Sequence, residues 1–150
     1  MNRLRLPGQT RFFTLHLAAG QGDLLTARIA DLREAWRLTV AELPTRCEAM
    51  VVLPDHLHAV LTLPPGAQPA TARWRRFRTG FAEALGRAPE EIWAPEILTQ
   101  PLETEAEINR ALALCWHDPV HHGLAPRPED WPYSSLHRDM RQAARRRAVA

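Results

Sequence analysis

The chain contains no lysine, two cysteines, one tyrosine and no apolar run long enough to cross a membrane. Each shortage removes a class of explanation. Cys47 and Cys115 are too few for a disulfide framework and make no CxxC zinc or redox motif, so a reducing cytoplasm is the expected setting. Met1 to Gly8 lacks the apolar core of a signal peptide, and without a stretch of about 20 apolar residues no membrane span is expected. There is no internal repeat and no low-complexity segment. With 150 residues and 45% apolar content, the sequence predicts one compact domain over residues 1–140, followed by a basic tail over 141–150. Nothing in it asks for an obligate assembly, and a monomer is expected.

Without lysine, all 19 basic residues are arginine, set against 17 acidic ones. A formal net charge of +2 says little about nucleic acid. Position says more: Arg73, Arg75, Arg76 and Arg78 crowd one segment, and Arg138, Arg141, Arg145, Arg146 and Arg147 load the C-terminus. Arginine pairs bidentately with phosphate, although a cluster of this kind also reads as an ordinary solvated face.

The most informative stretch is Met50 to Leu61, where His56-Leu57-His58 interrupts what otherwise reads as buried strand. Side chains at i and i+2 of a strand share a face, so both imidazoles can meet one ion. Two ligands rarely hold a metal alone, and a third group is needed from elsewhere. The alternative is that both rings simply hydrogen-bond to their neighbours.

Thr10 to Leu17 has the aromatic and β-branched content of a strand, and Gly20 to Gly22 form a turn. Asp23 offers an N-cap for a long helix with Leu25, Ile29, Leu32, Trp36 and Val40 on one stripe, stopping near Leu43-Pro44. Arg46 to Leu53 and His56 to Leu63 are two strands joined by a tight break at Pro54-Asp55. A helix from about Thr71 to Leu85 turns Trp74, Phe77, Phe81 and Leu85 to the core and leaves its arginines on the flanks. Ala88 to Leu102 reads as irregular, with a strand optional. Thr104 and Glu107 make a capping-box signature for a third helix to about His117, which Pro119 ends. On that helix Ile108, Ala111, Leu112 and Cys115 form the core stripe, Leu114 is a flank residue, and Asp118, four residues on, can present a carboxylate. The order β-α-β-β-α-(β)-α predicts an α+β domain, an antiparallel sheet with helices packed on one face and the other face free to hold a site.

Phe12-Phe13-Thr14, Val51 to His58, Arg73-Trp74-Arg75, Ile92-Trp93, Asp118-Pro119-Val120-His121-His122-Gly123-Leu124 and Asp130 to Arg138 together resemble the REP-associated tyrosine transposases, a branch of the HUH single-strand endonucleases. The resemblance runs over roughly residues 8–140. It implies a ferredoxin-like fold whose paired histidines, His56 and His58, hold Mg²⁺ or Mn²⁺ against the scissile phosphate of single-stranded DNA. It also implies a helix tyrosine that attacks phosphorus to give a 5′-phosphotyrosine link.

The chain departs from the family pattern at the nucleophile. The family reads Tyr-x-x-x-Asn-Pro-Val, and aligning Asp118-Pro119-Val120 with Asn-Pro-Val puts Leu114 at the tyrosine position. Leucine has no nucleophilic atom. The lone Tyr133 falls where the family uses a packing aromatic and is a poor substitute, while Cys115 belongs to the core stripe, where thiols are inert. Asp118 in place of asparagine keeps an oxygen ligand and adds charge. Ile97-Leu98-Thr99-Gln100 stands where relatives commonly carry Phe-Trp-Glu-His. The resemblance therefore implies a protein that binds single-stranded or hairpin DNA, with cleavage impaired. His56, His58 and Asp118 are the expected metal ligands, and Arg3, Arg5, Arg73, Arg75, Arg76 and Arg78 the expected phosphate contacts. The alternatives are a metal-dependent hydrolytic nuclease and a non-catalytic structural or regulatory module.

Overall fold

The computed structural model describes residues 9–149. Its centre is a four-stranded antiparallel sheet in the order β2-β3-β1-β4, built from β1 (Thr10–Leu17), β2 (Arg46–Val52), β3 (His56–Thr62) and β4 (Trp93–Leu102). Strict alternation along the two central strands gives the sheet two different faces. Phe13, Leu15 and Leu17 of β1 and Leu57, Ala59 and Leu61 of β3 point one way, into a core with Trp74, Phe77 and Phe81. Phe12 and Thr14 of β1 and His56, His58 and Val60 of β3 point the other way.

Helices α1 (Leu24–Ala27), α2 (Ile29–Glu42) and α3 (Ala70–Leu85) cover the first face. The long helix expected from Asp23 is in two pieces, because Arg28 leaves helical geometry at φ −117° and ψ 40°, and Asp23 makes no side-chain cap bond. α3 carries the expected apolar stripe and ends on Gly86, whose φ of 66° is the left-handed conformation a C-cap glycine supplies.

The α+β domain has the expected order of elements, and the correction concerns the second face, which was expected to be free of helices. α5 (Glu105–His121) lies across it and buries Ile108, Ala111, Leu112 and Cys115 against Ala49, Val51, Val60 and Leu102. Thr104 caps this helix by accepting from the Glu107 N–H at 3.1 Å.

Two proline effects differ from expectation. After a short α4 (Pro89–Ile92), the stretch read as irregular forms the ten-residue strand β4, which tolerates Pro95 and Pro101 because it is an edge strand with one row of backbone donors unneeded. Pro119 does not end α5; the helix runs through it to His121, with the Asp118 and Pro119 carbonyls still accepting from the His122 and Leu124 N–H groups. Pro119 is buried, and packing offsets the single backbone bond it forgoes.

The opposite sheet edge is covered. Residues 133–138 run along β2: the Val52 N–H donates to the Tyr133 carbonyl, the Ser135 N–H to the Met50 carbonyl, and the Arg138 guanidinium to the Cys47 and Glu48 carbonyls. Trp131 is buried and donates to the Val52 carbonyl at 2.9 Å. The chain then enters α6 (Leu136–Val149), so Arg141, Arg145, Arg146 and Arg147 stand on a helix. No helix among the described residues is long and apolar enough to cross a membrane.

Candidate metal centre and nucleic-acid interface

The turn before His56 is fixed from three sides. The Asp55 carbonyl accepts from the Leu17 N–H at 2.9 Å, the Pro54 carbonyl from the Leu25 N–H at 3.1 Å, and the His56 carbonyl from the Leu53 N–H at 2.8 Å. His56 thus starts β3 from a rigid corner, and His58 follows on the same face as the alternation requires.

Three imidazole nitrogens converge on one carboxylate oxygen. Asp118 Oδ2 lies 2.8 Å from His58 Nε2, 3.4 Å from His56 Nε2 and 3.4 Å from His122 Nε2. His56, Asp118 and His122 each offer a ligand atom, all within 4.8 Å of one another. The outer nitrogens are held as well. His56 Nδ1 sits 2.8 Å from Asp55 Oδ1, and His58 Nδ1 2.8 Å from Thr14 Oγ1. The His56 bond keeps the Asp55 carboxyl below the usual carboxylate range, and an ionised carboxylate only accepts. Nδ1 of His56 therefore donates, and in the neutral ring Nε2 is left as a lone pair facing Asp118. A lone pair aimed at an anionic oxygen repels it unless a proton or a cation lies between, so the donor set fits a bound cation. His58 adapts through Thr14, whose hydroxyl can donate to Nδ1 or accept from it. Nε2 can thus carry a proton to Asp118 or present a lone pair. This is the outer-shell support that orients ligating histidines.

Of the three groups expected from sequence, the structure sets His56 and His58 beside Asp118 Oδ2, with His58 outside the group whose ligand atoms are all within 4.8 Å of one another, and it adds two more imidazoles. His122 was not among the predicted ligands, although it stands four residues after Asp118; the expectation that Pro119 would end the helix hid that spacing. His16 pairs with His56 in the β1–β3 register and stacks on its ring at 5.3 Å. Phe12 stacks likewise on His58 at 5.3 Å.

Burial holds the His58 ring below the usual imidazole range; Asp118 opposes this, and nearby His56 and His16 reinforce it. A base whose folded value is depressed contributes stability that is whole above the unfolded value of 6.5 and is lost as pH falls through the folded one. The urea midpoint of the metal-free protein should therefore fall between about pH 7 and about pH 5, and fall less in His58→Gln. An identical decline in both proteins would contradict this account.

Leu114 is half exposed on α5, one turn before Asp118. It lines a groove of about 190 Å³ with Phe12, Gln100, Leu102, Glu107 and Arg110, so the departures at Gln100 and at Leu114 meet in one place.

No protein-family model matches the chain. A REP-associated tyrosine transposase of Escherichia coli (strain K12) is 33% identical over 138 residues, covering 92% of this chain and 82% of the relative. The chain belongs to the REP-associated tyrosine transposase family. A Haemophilus influenzae protein provisionally given the same family name is 27% identical over 146 residues, covering 89% of this chain and 83% of its own length. A solved structure of a REP-associated tyrosine transposase bound to a REP hairpin superposes with a TM-score of 0.86 at 31% identity, covering 95% of this chain and 86% of that one.

Among REP-associated tyrosine transposases the name itself specifies a tyrosine, and the only one here is Tyr133. Its ring packs edge-on to Trp131 and beneath the Arg33 guanidinium, and it lines a cavity with Leu32, Trp36 and Met50 on the α2 side of the sheet. That is a packing position, apart from the histidines.

The arginines separate into different roles. Arg73 is a correction to the expected phosphate contacts. It is 2% exposed, and its guanidinium donates to Thr45 Oγ1 at 2.6 Å, the Gln68 carbonyl at 2.7 Å and the Pro44 carbonyl at 2.8 Å. With those donors spent inside the fold, it ties the α2–β2 link to α3. Arg76 pairs with Glu42 at 2.9 Å. Arg78 lies over the Trp93 ring and donates to the Ala94 carbonyl. Arg75 is exposed, and with Arg78, Thr71 and Thr79 it lines a cavity of about 790 Å³ against Trp93 and Pro95. α3 is on the sheet face opposite the histidines, so Arg75 and Arg78 can meet a strand only where it passes around the β4 edge. Arg3 and Arg5 lie outside the described residues.

Proposed function

We propose that this protein binds single-stranded DNA folded into a hairpin, of the palindromic-repeat class, and that its cleavage step is impaired because Leu114 stands where the family places its nucleophile. The observation that carries the reading is the pairing of an assembled His-Asp cluster with a leucine one helical turn before Asp118. His56, His58 and Asp118 would hold a divalent ion, Mg²⁺ or Mn²⁺ by family resemblance. Such an ion supplies charge neutralisation at the phosphate oxygens. Asp55 and Thr14 orient the two rings. Arg3, Arg5, Arg75, Arg76 and Arg78 are the proposed phosphate contacts, and the hairpin-bound relative supports DNA as the partner.

Two labelled strands of equal composition, one able to form a hairpin and one scrambled, test the reading. The hairpin should bind more tightly, and binding should weaken as salt rises. Equal, salt-insensitive binding to both would remove it. Arg75→Ala should lower the salt slope by about 0.7–0.9, the share of one phosphate contact, whereas Arg73→Ala should leave the slope unchanged. Arg75 and Arg73 variants with the same slope would show the assignment of roles to be mistaken.

A second reading is favoured by the Asp118 carboxylate beside three imidazoles, groups able to take a proton from water: hydrolytic cleavage without an adduct. Manganese-dependent nicking that disappears in His56→Ala would support it. Intact substrate under every divalent metal would dispose of it.

A further inference from the structure

The cluster contains one imidazole more than the family resemblance asks for. His122 is carried by the last turn of α5, where it caps the helix, and its Nε2 lies 3.4 Å from Asp118 Oδ2, the same distance as His56 Nε2 on the other side. The His56 and His122 ring centroids are 5.1 Å apart, as are those of His56 and His58. We propose that His122 is a ligand together with His56, His58 and Asp118, and that this set selects a borderline dication such as Zn²⁺ or Co²⁺ over Mg²⁺. The inference rests on the reading that the cluster holds a divalent ion, and adds to it a ligand and a metal class.

Two of the distances already match the proposed geometry. A tetrahedral ion with bonds of about 2.0–2.2 Å has donor-to-donor edges of about 3.3–3.6 Å. The His56–Asp118 and His122–Asp118 separations, both 3.4 Å, already have that length. The His58–Asp118 contact of 2.8 Å is a hydrogen bond, and His58 lies outside the group of His56, Asp118 and His122 whose ligand atoms are all within 4.8 Å of one another, so its ring has to swing toward the ion on binding. Three nitrogens and one oxygen are a donor set suited to Zn²⁺ and Co²⁺, whereas Mg²⁺ demands six oxygens in near-octahedral order and gives up its water reluctantly. The C-terminal end of α5 adds its partial negative charge beneath the cation. His122 is half exposed on the solvent side of Asp118, placed to close over an ion that the buried His56 and Asp118 hold from below.

Co²⁺ alone reports both parts through its visible absorption, which is intense in four-coordinate nitrogen-rich sites and weak in octahedral ones. Wild-type protein, His122→Ala and His58→Ala are titrated without DNA, and the bound ion is then challenged with Zn²⁺ or Mg²⁺. The wild type should give the intense spectrum, lose it to Zn²⁺ at stoichiometric amounts and keep it in a large excess of Mg²⁺. His122→Ala should keep its fold, since the residue is on the surface, but lose the intense band and weaken Co²⁺ binding at least the roughly 10–100-fold that loss of a supporting group costs. A His122→Ala spectrum and affinity equal to wild type would overturn the ligand assignment while leaving a divalent site in place. Displacement by Mg²⁺ at concentrations comparable to Co²⁺ would overturn the metal preference. No Co²⁺ binding by any of the three proteins would defeat the underlying reading as well.

Discussion

Leu114→Tyr should form a covalent complex with DNA under conditions where the parent protein is expected to form none. The side chain at this position is 49% exposed on the rigid body of α5, so a phenol replaces leucine with its added ring directed to solvent and a stability change within about 0.5 kcal/mol. From there the hydroxyl is carried on the same helix as Asp118, one turn away, which fixes its position relative to the His-Asp cluster. Incubated with a single-stranded hairpin and Mg²⁺ or Mn²⁺, the variant should yield a denaturation-stable protein–DNA band, and the parent none. Gln100 lines the same groove as Leu114, and the family resemblance places histidine there. Adding Gln100→His to the variant should therefore raise the adduct yield. An adduct in the parent protein would refute the claim that the nucleophile is missing. None in either variant would mean that the groove, and not the single side chain, has lost the reaction.

Arg73→Ala should cost about 3 kcal/mol of folding stability or more, read from urea denaturation. Hydrogen bonds to a charged donor contribute about 1.5–3 kcal/mol each, and the substitution leaves the Thr45 hydroxyl and the Pro44 and Gln68 carbonyls without this partner. The guanidinium is also among the largest fully buried side chains, so a cavity term adds to the loss. Under conditions where the variant is folded, its affinity for hairpin DNA should match the parent's. A stability loss below about 1 kcal/mol accompanied by weaker DNA binding would restore Arg73 to the phosphate-contacting set.

Much of this site could be read from alternation and helical spacing. The period of two along His56-Leu57-His58 puts both rings on one face, and the stripe through Ile108, Ala111, Leu112 and Cys115 leaves Leu114 on the flank and Asp118 a turn further on. What escaped depended on neighbours distant in sequence. Pro95 and Pro101 argue against a strand until β4 is known to be at an edge, and Pro119 argues for a helix end until its burial is seen. That second misreading concealed His122. Arg73, Arg75, Arg76 and Arg78 look alike in sequence, and only the positions of the Pro44 and Gln68 carbonyls, of Glu42 and of the Trp93 ring distinguish a structural tie from an exposed cation. The segment from Trp131 to Ser135 reads as a motif, and its work in the fold is to cover the β2 edge.

Anomalous diffraction from crystals of the protein with a DNA hairpin and Mn²⁺ addresses the central claim most directly, because manganese scatters where it binds. A single peak within bonding distance of His56 Nε2, His58 Nε2 and Asp118 Oδ2, with a backbone phosphate on its open side, is the predicted result. A well-ordered hairpin complex with no peak there, or with the manganese bound elsewhere, would contradict it.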